Sequence, residues 1–151
     1  MKKKNELSIV VPVYGCTEAI GELCDRLIVV INDLEISSYK IILVDDNCPY
    51  NSWSVIDKLA KTNPNIQGIK FTKNFGQHKA ITAGLNYSKS NWVVVMDCDL
   101  QDRPEEIKKI YKKAKEGFDI VFARRVKRKD KFLKRCTSKL FYKVYNYFTD
   151  V

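Results

Sequence analysis

The sequence predicts an α/β fold: a mostly parallel sheet with helices on both faces. Three observations predict it. Apolar runs rich in Val, Ile and Leu alternate five times with stretches whose apolar residues recur three and four apart, joined by short connections. The runs are nearly continuous instead of alternating with polar residues, as in strands covered on both sides. Each run also ends in polar or conformationally special residues. Right-handed crossovers collect all the strand C-terminal ends on one edge, where open α/β sheets bind ligands.

The elements follow in order. Residues 7–14, ending Val11-Pro12-Val13-Tyr14, form a first strand. Over residues 18–34 the apolar positions Ile20, Leu23, Leu27, Val30, Ile31 and Leu34 have helical spacing. Ile41-Ile42-Leu43-Val44 is a second buried strand, ended by Asp45-Asp46-Asn47, with Pro49 and Asn51 marking a loop. Val55, Ile56 and Leu59 give a helix, residues 66–72 a third strand, Asn74-Phe75-Gly76 a turn, and residues 79–88 a helix with Ile81 and Leu85 inward. Gly84 inside that helix predicts close packing against the sheet, and Trp53 and Trp92, at element ends, read as packing residues. A fourth strand runs from Trp92 to Met96 and reads as buried on both faces. A helix carrying Ile107, Ile110, Tyr111 and Ala114 ends at Gly117, and a strand is expected over residues 118–123. Phe132, Leu133, Leu140, Phe141, Val144, Tyr145 and Phe148 give a last helical pattern.

At 151 residues, 45% hydrophobic and 30% charged, the chain is expected to be one soluble globular domain. No stretch has the apolar length that spans a bilayer, and nothing resembles a signal peptide. The five cysteines, Cys16, Cys24, Cys48, Cys98 and Cys136, are scattered, without C-x-x-C pairs or zinc-like histidine spacing, and read as reduced thiols of a cytosolic compartment. His78, the single histidine, is explained by its place near a helix start. Net charge is +9, and residues 124–139 hold nine bases against one acid, nearly the whole excess. Such a patch calls for an anionic partner: a phosphorylated substrate, an anionic membrane surface or nucleic acid.

The chemistry concentrates after the fourth strand, in Asp97-Cys98-Asp99-Leu100-Gln101-Asp102, three carboxylates in six residues. Asp102 before Pro104 reads as the cap of the next helix. Asp97 and Asp99 come too early for that. Flanking one residue, they can converge on one hard divalent cation, with Gln101 adding a neutral oxygen, a set that suits Mg²⁺ or Mn²⁺ and leaves coordination positions for a diphosphate. Neither G-x-G-x-x-G nor G-x-x-x-x-G-K-[ST] occurs, so phosphate must be held some other way, and a cation on Asp97 and Asp99 with arginines from the next strand end would do it. Asp45-Asp46 can accept hydrogen bonds from the N–H groups of a base edge.

Six ordered motifs, Val11-Pro12-Val13-Tyr14, Val44-Asp45-Asp46-Asn47, Asn74-Phe75-Gly76, Ala83-Gly84-Leu85, Asp97-Cys98-Asp99-Leu100-Gln101-Asp102 and Arg125-x-x-Arg128, resemble the family 2 glycosyltransferases of GT-A fold. Asp99-Leu100-Gln101-Asp102 with Pro104, and the segment ending Ser138-Lys139-Leu140-Phe141-Tyr142, resemble the branch of dolichyl-phosphate mannose synthase and bacterial polyprenyl-phosphate glycosyltransferases. Cys16 stands where many relatives have Glu, Gly15 where they have Asn, and Tyr50 where an Asp is common.

The resemblance implies a nucleotide-sugar-binding domain over residues 1–151, incomplete at its C-terminal end, that moves a sugar with inversion from a UDP- or GDP-sugar to a polyprenyl phosphate. Pro12, Val13, Tyr14, Asp45, Asp46, Asp97, Cys98 and Asp99 would bind the nucleotide. Asp97 and Asp99 would be the catalytic D-x-D and, with Gln101, the Mg²⁺ or Mn²⁺ ligands. Arg125, Arg128, Arg135 and Ser138 would receive the acceptor phosphate at the cytoplasmic face of a membrane. A phosphate monoester loses its second proton near pH ~6 and needs cations, not a base, to act as nucleophile. The basic segment beside Phe132, Leu133, Phe141, Tyr145 and Phe148 supplies cations with an apolar face. Transfer to a saccharide hydroxyl is the rival within the enzyme class. A basic nucleic-acid-binding module, or an inactive nucleotide-binding fragment, is the rival outside it. The sheet-edge aspartates speak against nucleic acid.

Overall fold

The computed structural model describes residues 6–36 and 38–123. The chain divides into two compact units, Met1–Ile120 and Val121–Val151, and every element below belongs to the first. Its order is β1 (Leu7–Val13), α1 (Ala19–Asp33), β2 (Tyr39–Asp45), α2 (Ser52–Thr62), β3 (Ile66–Lys70), α3 (Gln77–Tyr87) and β4 (Trp92–Val95). A 3₁₀ turn (Pro104–Glu106) then leads into α4 (Ile107–Lys115).

The four strands are all parallel, in the spatial order β3-β2-β1-β4. The chain steps outward from β1 to β2 to β3, then returns across β1 to lay β4 on its other side. Strand pleating sends alternate residues to opposite faces. Leu7, Ile9, Val11 and Val13 of β1, with Ile41 and Leu43 of β2, meet Leu23, Leu27 and Ile31 of α1, Ile56 of α2 and Ile107 and Tyr111 of α4 in one core. Val10, Ile42 and Val44 face the other way and pack on Ala80 of α3. The helices of the outward steps thus share one face and the helix of the return step takes the other, as right-handed crossovers require.

Gly84 makes the second face possible. A Cβ there would lie 2.3 Å from Val10 Cγ1, so α3 approaches the sheet at a distance that only glycine allows. The expected packing roles of Trp53 and Trp92 also hold: both are partly buried against the larger core.

Four expectations need correction. Leu85, expected to point inward, is exposed, and Ala80 and Gly84 are the buried residues of α3 because they are the ones that face the sheet. The fourth strand is partly buried on one face, through Trp92 and Val94, and exposed on the other at Val93 and Val95, because α3 lies over β1 and β2 and leaves β4 at the sheet's margin among the described residues. Residues 118–123 are not a strand, since a strand is held by its ladder and no described strand pairs with this stretch. The cap before the 3₁₀ turn is Arg103, not Asp102, and the Arg103 side chain makes no capping hydrogen bond. Pro104 sets that start, because its ring fixes the first helical φ and holds the preceding residue extended. Among the described residues no helix is long and apolar enough to cross a membrane.

Candidate functional site

The strand order leaves a crevice at the C-terminal edge, where β1 turns into α1 on one side and β4 ends on the other. A cavity of about 310 Å³ occupies it. Pro12, Val13 and Tyr14 border it from the end of β1, Asp46 from the end of β2, and Asn74, Gly76 and Gln77 from the turn into α3. Asp97, Cys98 and Asp99 close it from the end of β4. Seven of the eight residues expected at a nucleotide therefore share one cavity. Asp45 and Gln101 do not line it.

Each wall has a local cause. The carboxylate of Asp46, only 3% exposed, accepts the backbone N–H of Phe75 at 2.7 Å and of Gly76 at 2.9 Å. Those bonds fasten the start of α3 to the end of β2, and Gly76, at φ +89°, makes the turn between them. Asp45, equally buried, accepts the Cys48 N–H at 3.0 Å and shapes the loop after β2. Both acids thus brace the backbone, and these donors satisfy side-chain oxygens that burial removes from water.

The loop after β1 is held from two directions. Thr17 Oγ1 donates to the Tyr50 carbonyl at 3.1 Å and lies 2.6 Å from Ser52 Oγ, and Gly15 N–H donates to Cys48 Sγ at 3.3 Å. Burial pushes the Cys48 thiol up, but hydrogen bonds from Ser52, Gly15, Tyr50 and Thr17 outweigh it and the net shift is downward. On its other side the loop is bonded covalently to the acidic motif through a Cys16–Cys98 disulfide, with Cα atoms 6.1 Å apart. This corrects the reading of all cysteines as free thiols. Residues separated by 82 positions in sequence meet because β1 and β4 are neighbours, which spacing along the chain does not reveal.

The acidic motif itself turns sharply. Leu100 has φ +59°, a left-handed conformation uncommon for a branched side chain, and the Gln101 N–H folds back to Asp99 Oδ1 at 3.0 Å. Asp97 Oδ1 accepts the side-chain amide of Gln77 at 2.6 Å. Asp99 also borders a second cavity of about 580 Å³, lined by residues 15–19 and Tyr50, so the disulfide and Asp99 stand between the two spaces. Among the described residues no group of three His, Cys, Asp or Glu is placed to hold a metal by itself. Asp97 and Asp99, bordering one cavity with oxygen donors only, fit a hard cation whose remaining positions are filled by a diphosphate or water.

Gln77 was not singled out from sequence, where the helix is read as starting at residue 79. The available signal was its place directly after the Asn74-Phe75-Gly76 turn. His78 is exposed, in keeping with its reading as a helix-start residue. Arg125, Arg128, Arg135 and Ser138 lie outside the described residues.

Residues 8–150 match the family model described as Glycosyl transferase family 2. An uncharacterized glycosyltransferase of Bacillus subtilis, YkcC, is 38% identical over 152 residues, 100% of this chain and 47% of that protein. An undecaprenyl-phosphate 4-deoxy-4-formamido-L-arabinose transferase of Proteus mirabilis is 38% identical over 140 residues, 92% of this chain and 43% of its own length. The chain therefore spans less than half the length of these relatives. Among solved structures, the mannosyltransferase PcManGT of Pyrobaculum calidifontis, in complex with GDP-Man and Mn²⁺, superposes with a TM-score of 0.54 at 20% identity. That match covers 65% of this chain and 28% of the other. S. aureus TarS 1-349 in complex with UDP gives 0.53 at 20% identity, over 70% of this chain and 33% of its own. At that identity the two structures speak for the fold, and the family match and the closer relatives carry the rest: the chain belongs to glycosyl transferase family 2, built on the GT-A fold.

Proposed function

We propose that this domain transfers a sugar, with inversion, from a nucleotide-diphosphate sugar to a polyprenyl phosphate, assisted by Mg²⁺ or Mn²⁺. One observation carries the reading: Asp97 and Asp99 share a single crevice with Pro12, Val13, Tyr14 and Asp46 at the point where the strand order reverses. Support comes from PcManGT, which is solved with GDP-Man and Mn²⁺, and from the relatives named as undecaprenyl-phosphate transferases.

Pro12, Val13, Tyr14 and Asp46 take the base and ribose, while Asp45 supports the loop beside them. Asp97 and Asp99, with Gln101 at the turn, would hold the cation, and Cys98 fills the wall between the two aspartates. When bound, the cation neutralises the negative charge that grows on the departing nucleoside diphosphate, which is where binding energy accelerates chemistry. The acceptor phosphate is already ionised at neutral pH, so this chain's work on the acceptor side is to gather and orient it. Arg125, Arg128, Arg135 and Ser138 do so, in a basic segment suited to the anionic cytoplasmic face of a membrane.

The test is calorimetric titration of UDP and GDP into the chain, with and without Mn²⁺, for wild type and Asp99→Ala. Binding that needs both the metal and Asp99 is the expected result and names the nucleotide. A folded wild-type chain that binds neither nucleotide refutes the donor site. Radiolabelled transfer by the longer protein to a detergent-solubilised polyprenyl phosphate, against an oligosaccharide, then tests the acceptor.

A further inference from the structure

We infer that Gln77 is a positioning residue for the D-x-D motif: its side-chain amide fixes the Asp97 carboxylate in the orientation that receives the cation. The inference rests on the proposed role of Asp97 as a metal ligand and goes beyond it by assigning a residue outside the acidic motif to set that ligand's geometry.

The contact is a charge-assisted hydrogen bond, Gln77 Nε2 to Asp97 Oδ1 at 2.6 Å, between residues 20 positions apart that border the same cavity. What distinguishes it from a chance surface contact is how Gln77 is held. It is the first residue of α3, and the two residues before it donate their backbone N–H groups to the buried Asp46. Gly76 N–H is also 3.1 Å from Asn74 Oδ1. Further along, Gly84 seats the same helix directly on Val10. The amide is therefore carried on a helix fixed at its start to β2 and along its length to β1, and it reaches over to the end of β4. It works as a strut across the crevice.

A neutral amide suits the task. It holds the carboxylate through Oδ1 without bringing a charge of its own that would compete with a cation. A lysine in its place would bring its own positive charge and compete with the metal for Asp97. Residues that orient metal ligands in this way typically change metal affinity by about 10- to 100-fold when removed. Gln77 is itself exposed, so its loss leaves no cavity and no buried unpaired group.

The experiment measures Mn²⁺ bound to the chain from the loss of the free-ion electron paramagnetic resonance signal, alone and with UDP or GDP. The variants are wild type, Gln77→Ala, Gln77→Lys and Asp97→Ala, with the thermal midpoint of each as the control for folding. The expected order of Mn²⁺ affinity is wild type, then Gln77→Ala about 10- to 100-fold weaker, then Gln77→Lys weaker still, with unchanged thermal midpoints. If Asp97→Ala abolishes binding while Gln77→Ala matches wild type, the positioning role is overturned and the donor-site reading stands. If Gln77→Lys binds more tightly than Gln77→Ala, the amide is no positioning group and the inference fails in the same way. If wild type binds no Mn²⁺ in any combination, the donor-site reading and this inference fall together.

Discussion

Replacing Gly84 by Ala tests how the site is supported, because it adds one methyl group at the closest approach between α3 and the sheet. The new Cβ would sit 2.3 Å from Val10 Cγ1 and 3.3 Å from Val44 Cγ2. Carbon atoms in contact prefer about 3.5–4.0 Å, so something has to move by more than an ångström. Val10 cannot, since it is fully buried on β1, which is paired on both sides. The helix must shift instead, and overpacking of this kind costs about 1–3 kcal/mol. Alanine's higher helix propensity returns about 1 kcal/mol. With so short an approach the upper part of the range applies, and the net effect is a loss of about 2 kcal/mol. Gly21→Ala in α1 makes the contrast, because nothing lies within 4 Å of its Cβ and the same change there adds a few tenths to about 1 kcal/mol of stability. Urea unfolding at pH 7 measures both. The double variant Gly84→Ala/Val10→Ala removes the methyl groups that clash and should be less destabilised than the sum of the two single changes. Strict additivity, or a Gly84→Ala protein as stable as wild type, refutes the packing argument. Because α3 carries Gln77, Gly84→Ala should also weaken Mn²⁺-dependent nucleotide binding, which Gly21→Ala leaves unchanged.

Two further outcomes follow from groups around the site. Glu105 receives Arg26 Nε and Nη2 at 2.9 and 2.8 Å, which joins the turn before α4 to α1. That guanidinium holds the Glu105 carboxyl down to about 2, below its ordinary 4.5. A depressed carboxyl stabilises the fold above its unfolded value and loses that contribution as pH falls through 4.5 toward 2. Wild type should therefore unfold at higher urea than Glu105→Gln at pH 7, by a small, salt-sensitive margin, with the gap closing near pH 2. A gap independent of pH would show that the ion pair is not its source. For the Cys16–Cys98 bond, alkylation of the native, unreduced chain should spare both of these cysteines and label Cys48. It should also spare Cys24, which is buried and whose thiol burial pushes up to about 12. With 82 positions between the joined residues, reduction should lower stability by up to about 4–5 kcal/mol in the chain-entropy limit, and Cys16→Ser should match the reduced protein. Labelling of Cys16 and Cys98 without reductant would overturn this.

The strands, helices and acidic motif were legible in the sequence because their signals are local. A strand declares itself by a short apolar run and a helix by apolar residues three and four apart, and both patterns are complete within a dozen positions. Asp97 and Asp99 were legible for the same reason: carboxylates that end an apolar run cannot enter the core beside it unpaired. The misreadings share the opposite cause. Residues 118–123 have a strand's composition, but a strand exists only where a neighbour supplies its ladder. Val93 and Val95 look like core, and only the course of α3 over β1 and β2 decides that one face of β4 is left exposed.

By itself, then, the sequence determined the alternation of strands and helices and the collection of acids at the strand ends, because side-chain periodicity and the cost of burying charge act between near neighbours. Only the tertiary structure decided that β4 lies beside β1, and with it the meeting of Asp97 and Asp99 with Pro12, Val13 and Tyr14, the Cys16–Cys98 bond and the reach of Gln77 to Asp97. Those contacts join residues 20 to more than 80 positions apart, and which of them form is settled by how the whole core packs, a property that no short stretch of the chain contains.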